Sequence, residues 1–108
     1  MEKLITTGKT KAIGVSNFSF AEMQRLLQET TIVPAAHQLE LHPYLQQRSF
    51  MDWHKQHGIV VTQFSPFGNA NDAYDKGKNV GKLIADPVLT EIGKKYNKSG
   101  AQVALGTF

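Results

Sequence analysis

Strand-like and helix-like stretches alternate along the chain, and this constrains the fold most: Lys11, Ala35 and Ile59 each open a strand-like stretch, while Ser19, Gln46 and Pro87 each open a helical one. Such alternation builds a parallel sheet with helices as its crossovers. The sharpest instance is Lys11-Ala12-Ile13-Gly14-Val15-Ser16-Asn17-Phe18, a short apolar strand that stops in polar side chains and runs at once into a helix start. Polar groups at a strand end of this kind stand at a barrel rim or sheet crevice, where ligands bind. The chain has 108 residues, whereas a complete eight-stranded α/β barrel takes about 250. Three strands are too few to close one.

The local signals give the elements. Residues 2–7 have the character of a final helical turn, with Gly8 placed to end it, so both chain ends are expected to cut through secondary structure. Residues 11–15 form the first strand. Ser19-Phe20-Ala21-Glu22 has capping-box spacing, and Phe20, Met23, Leu26 and Leu27 mark one face of the helix it opens. Residues 33–41 read as the second strand, left at His42-Pro43, and residues 45–57 as a helix ended by Gly58. The β-branched run Ile59-Val60-Val61 suits a strand buried on both faces. Residues 67–85, polar and glycine-rich, have the length of a mobile loop over a binding face. Asp86-Pro87 starts a helix to about Tyr96, and Ser99-Gly100-Ala101-Gln102 starts another.

Composition removes several function classes. Without cysteine there are no disulfides, thiolate metal sites or thiol nucleophiles. A formal charge of +3 fits an anionic ligand, but no Lys/Arg cluster lies among exposed aromatics, which argues against nucleic acid. Lys94, Lys95 and Lys98 are accounted for by a helix C-terminus, where positive charge is mildly favourable. Neither a signal-peptide pattern nor an apolar stretch of membrane-spanning length occurs, so the expectation is a cytoplasmic setting with no membrane partner. His37 and Glu40 fall on opposite faces of a strand, which speaks against a metal site with His42. Asp52, His54 and His57 read as a partly solvated helix face, and Trp53 as packing on Phe50. As bland alternatives, Ser16 and Asn17 suit an ordinary strand-to-helix turn, Gln38 a buried packing amide and Phe64 core filling.

Three motifs occur in order: Gly14-Val15-Ser16-Asn17-Phe18, Gln38-Leu39-Glu40-Leu41-His42-Pro43-Tyr44-Leu45, and Phe64-Ser65-Pro66-Phe67-Gly68. Together they resemble the aldo-keto reductases, closest in style to the aldose-reductase-like members, and the resemblance covers essentially the whole chain. It implies an α/β fold, an incomplete segment of a (β/α)8 TIM barrel with three parallel strands and helices, spanning the fifth to seventh barrel strands. Residues 1–108 would then be part of an NADP-dependent oxidoreductase domain. The resemblance further implies an enzyme that moves a hydride between NADP(H), or alternatively NAD(H), and an aldehyde, ketone or sugar carbonyl, without a metal.

Carried over by motif, Ser16, Asn17 and Gln38 would hydrogen-bond the nicotinamide carboxamide, since hydroxyl and amide groups match its donor and acceptor. Phe64 would lie against the nicotinamide ring where the family often has tyrosine, and Ser65, Phe67 and Asn69 would wrap the pyrophosphate. Asn69 stands where serine is frequent, and Gly106 where arginine is common. No catalytic residue is assigned, because the family's Asp, Tyr, Lys and His group lies upstream of Met1 and its adenosine-reading loop beyond Phe108. Tyr44, Tyr74 and Tyr96 match none of the catalytic positions. The isolated chain is therefore predicted to be inactive and marginally stable, with open sheet edges that favour self-association. A noncatalytic cofactor-binding remnant, or an interaction module, is the alternative.

Overall fold

A computed structural model of the chain describes residues 1–68 and 83–107. The elements are α1 (Glu2–Thr6), β1 (Gly14–Ser16), α2 (Phe20–Glu29), β2 (Ala36–Glu40), α3 (Arg48–Gln56), β3 (Val60–Phe64), a 3-10 turn (Leu83–Ala85), α4 (Pro87–Lys95) and α5 (Gly100–Leu105). Most of the expected glycine-rich loop, including Tyr74, lies outside the described residues. The chain divides into two compact units, one of Met1–Leu39 with Gln47–Phe64 and one of Glu40–Gln46 with Ser65–Phe108.

The first unit carries a three-stranded parallel α/β sheet in the order β1-β2-β3. Gly14, Val15 and Ser16 pair in register with Ala36, His37 and Gln38. Gly14 is required there, because a Cβ would meet the Ala36 carbonyl oxygen at 2.7 Å. Strand β1 begins later than residue 11. Pairing further back would need a donor from Pro34, which has none, so the ladder is preceded only by the Ala35 N–H donating to the Ile13 carbonyl at 2.8 Å. The same proline holds the start of β2 at Ala36.

Alternation along β2 buries His37 and Leu39 and leaves Gln38 exposed. His37 and Leu39 face the helical layer, to which Met23 of α2 and His54 of α3 each contribute a fully buried side chain. The opposite face is open, and Val60 is 64% exposed. The expectation that β3 is buried on both faces therefore fails at Val60.

Helix ends follow the sequence closely. In α2 the capping box is formed: the Ser19 N–H donates to the Glu22 carboxylate at 2.7 Å and the Glu22 N–H donates back to Ser19 Oγ at 3.3 Å. The Ser19 hydroxyl and N–H hold the Glu22 carboxyl below the usual carboxylate range. At Gly8 and Gly58, φ values of 70° and 67° end α1 and α3. Helix α3 starts three residues later than expected, because Leu45 is engaged in a reciprocal backbone bridge with His42 and Gln47 adopts a left-handed cap with φ 45°.

In the second unit, Asp86 caps α4 by accepting from the Val88 and Leu89 N–H groups at 2.8 and 3.3 Å, with Pro87 in the first turn. The Tyr44 hydroxyl donates to the same carboxylate, which holds Asp86 below and pushes Tyr44 above its ordinary range. Ser99 and Gln102 form a second capping box at α5. Leu83, Leu89 and Ala104 form the core here, with Val103 against them. Helix α5 ends at Leu105, with Gly106 as its C-terminal cap.

Candidate functional site

Of the described candidate residues of the first unit, Ser16 and Phe64 close β1 and β3, Asn17 follows β1, and Gln38 lies midway along β2. Ser16 closes β1 and is the register partner of Gln38 on β2. Paired residues of adjacent parallel strands present their side chains on the same face about 4.8 Å apart. Both side chains are exposed, so Gln38 is not the buried packing amide considered above. A hydroxyl and a carboxamide thus stand together on the open face.

Asn17, also exposed, turns the chain away from the sheet with a φ of 57°, a left-handed conformation that asparagine tolerates better than most side chains. Its N–H donates to the Gln38 carbonyl at 3.0 Å, and the next N–H, that of Phe18, donates to His37 Nε2 at 3.1 Å. Two consecutive amides therefore tie the strand-end turn to β2. Phe64 closes β3 and is half-buried, consistent with a ring that packs on one side and presents the other.

In the second unit, Ser65 has a φ of 47° and its carbonyl accepts from the Gly68 N–H at 2.9 Å, closing a tight turn through Pro66 and Phe67. Phe67 is 39% exposed. Asn69 lies outside the described residues. Of four non-glycine residues with positive φ among the described residues, Asn17 and Ser65 directly follow strands, so backbone strain falls at the strand ends where ligand-binding loops arise. Among the described residues, no group of three His, Asp or Glu side chains converges as a metal ion would require. No helix among them is long and apolar enough to cross a membrane.

One constellation escaped the sequence. His54 is 0% exposed rather than part of a solvated face, and it meets the equally buried His37, with Nδ1 of His37 2.7 Å from Nε2 of His54. Burial first, and then the proximity of His54, lowers the His37 pKa to about 4. Asp52 and His57 are exposed as expected, and Trp53 does approach Phe50, with ring centroids 5.9 Å apart. The available signal for His54 was its place four residues after Phe50, which puts both on the face that turns inward.

The Aldo/keto reductase family model matches residues 1–106. Over 107 residues the chain is 43% identical to an uncharacterised oxidoreductase of Schizosaccharomyces pombe, covering 97% of this chain and 33% of that protein. Over 108 residues it is 41% identical to the NAD(P)H-dependent D-xylose reductase of Candida tenuis, covering 97% of this chain and 34% of that one. A crystal structure of an aldo/keto reductase from Brucella melitensis superposes with a TM-score of 0.79 at 38% identity, covering 96% of this chain and 35% of the other. The chain spans about a third of the length of the curated relatives it matches. With a family match across nearly its whole length and a matching segment of the same fold, this chain belongs to the aldo/keto reductase family.

Proposed function

We propose that this chain supplies the nicotinamide-holding strand ends of an aldo-keto reductase that interconverts aldehydes, ketones or sugar carbonyls with alcohols. The observation that carries the reading is the register pair Ser16–Gln38, exposed side by side with the left-handed Asn17 beside them. The donor set fits the group: one hydroxyl and two carboxamides offer both donors and acceptors to a nicotinamide carboxamide. When bound, the nicotinamide supplies the hydride. The chain's part is orientation, since fixing the carboxamide selects which face of the ring is presented. Phe64 offers an aromatic face without the phenolic hydroxyl of a tyrosine. Ser65, Phe67 and Asn69 would hold the pyrophosphate. NADP(H) is the assigned cofactor, with NAD(H) as its competitor, in a cytoplasmic setting.

A carbonyl oxygen that receives hydride develops negative charge and needs a placed acid or equivalent stabilisation. No residue of the three motifs is placed as that donor. The chain on its own should bind nicotinamide nucleotide weakly and reduce nothing. Incubated with NADPH and a panel of aromatic aldehydes and aldoses, it should show no cofactor oxidation above buffer. A change in NADPH fluorescence on binding should disappear in the Ser16→Ala, Asn17→Ala double variant. Turnover abolished by that variant would contradict the division of labour, and binding indifferent to it would contradict the site.

A further inference from the structure

Beneath the strand-end turn, hydrogen bonding runs unbroken through two buried imidazoles. The Phe18 N–H is a donor without choice, so His37 Nε2, 3.1 Å away, must carry a lone pair. The proton of neutral His37 is then on Nδ1, which donates to His54 Nε2 at 2.7 Å. That nitrogen must in turn be unprotonated, which puts the His54 proton on Nδ1, 2.6 Å from the Phe50 carbonyl that accepts it. Only one assignment satisfies every partner: Phe18 N–H to His37, His37 to His54, His54 to the Phe50 carbonyl, with both rings neutral. A proton added to either ring gives two facing donors and breaks the line.

We propose that His37 is a positioning residue that holds the Asn17 turn in its left-handed conformation, and that His54 acts through it by fixing its tautomer. The proposal rests on the reading of Ser16, Asn17 and Gln38 as the nicotinamide-holding group. It adds to that reading a means of keeping Asn17 in place before any ligand arrives. Asn17 and Phe18 are consecutive, so the two N–H bonds, to the Gln38 carbonyl and to His37, clamp both sides of the residue with positive φ. The Phe18 and Phe50 rings lie edge-on to His37 at 6.2 and 5.8 Å and keep the imidazole from rotating. Of the three aromatic rings packed on it among the described residues, His54 is the titratable one. Both imidazoles are 0% exposed, so water offers no substitute partner for either.

The test uses the full chain labelled with nitrogen-15. Long-range imidazole spectra at neutral pH should show His37 and His54 both protonated on Nδ1, with a coupling across the hydrogen bond from the Phe18 amide to His37 Nε2. A His37 protonated on Nε2, or the absence of that coupling, overturns the proposal without any variant. Amide exchange at Phe18 should accelerate by about tenfold in His37→Leu, the effect of one lost buried hydrogen bond. His37→Gln, whose side-chain oxygen replaces the acceptor, should restore protection. Unchanged Phe18 exchange in a folded His37→Leu variant overturns the proposal, and should that variant not fold, the spectra of the unmodified chain decide. Titration with nicotinamide mononucleotide separates the two readings: weaker binding in His37→Leu with recovery in His37→Gln supports both. No binding to the unmodified chain sinks the cofactor reading, while the tautomer and exchange results still decide the positioning role.

Discussion

Under the sheet, the side chains wholly withdrawn from water are Met23, His37 and His54, two of them imidazoles in a directed hydrogen-bond line. In the unit of α4 and α5 the core is Leu83, Leu89 and Ala104, and the close approaches are those of backbone to Gly93 and Gly100. The first arrangement fixes orientation, because an imidazole with both nitrogens engaged has one allowed rotation and one tautomer. The second fixes distance, because aliphatic contacts have no direction and small residues set how near two segments come. The polar arrangement lies directly beneath Ser16, Asn17 and Gln38, where orientation is what a ligand would read. It follows that protons should weaken the first unit through its imidazole pair, and that steric bulk should act most strongly in the second, at Gly93, ahead of the strand contact at Gly14.

The largest effect is expected at Gly93, where a Cβ would stand 2.4 Å from the Lys98 carbonyl oxygen. That contact is part of the C-terminal cap of α4, in which the Lys98 N–H donates to the Gly93 carbonyl at 2.8 Å and Asn97 takes a φ of 54°. Gly93→Ala should destabilise α4 and α5 by about 3 kcal/mol, read from urea melts of their amide signals. A loss well under 1 kcal/mol would show that the backbone there yields easily.

Acid should act next, and on the other unit. Burial and His54 lower the His37 pKa to about 4 in the folded chain, against about 6.5 when unfolded. Between these values the unfolded state binds the proton and the folded state does not. The stabilisation is therefore complete above pH 6.5 and lost as pH falls toward 4, by about 3 kcal/mol in all. Melts followed at β2 amides from pH 7 to 4 would check it, and a His37→Gln chain should lack that part of the slope. His54→Leu should cost about 2 kcal/mol at neutral pH, since it leaves the His37 Nδ1–H buried without an acceptor. Smallest of the four, Ser19→Ala should cost about 1 kcal/mol through loss of the α2 cap, measured by denaturation at amides of residues 20–29.

The parts of this comparison that are local in sequence were legible there. Capping residues such as Ser19 with Glu22, Asp86 with Pro87, and Ser99 with Gln102 satisfy free amides a few residues away, so their spacing alone announces helix starts. Gly8 and Gly58 were equally readable as helix ends. Strand limits were less so, because β1 is trimmed by the lack of a donor at Pro34, in the segment that leads into the neighbouring strand β2. The start of α3 shifted for a related reason, since Leu45 is engaged with His42 rather than with the helix. His54 was misread because a polar side chain on a helix is ordinarily solvated, and its partner lies 17 residues away. The candidate residues were named by motif, while the left-handed turn at Asn17 and the amides that hold it depend on tertiary contacts.

The central claim, that the end of β1 and its register partner Gln38 on β2 form a nicotinamide-orienting face, is tested most directly by nitrogen-15 amide spectra of the chain titrated with NADPH. The account predicts saturable shifts centred on Ser16, Asn17, Phe18 and Gln38 that are lost in the Ser16→Ala, Asn17→Ala double variant. Shifts centred instead on α4 and α5, or the same shifts persisting in the double variant, would contradict it.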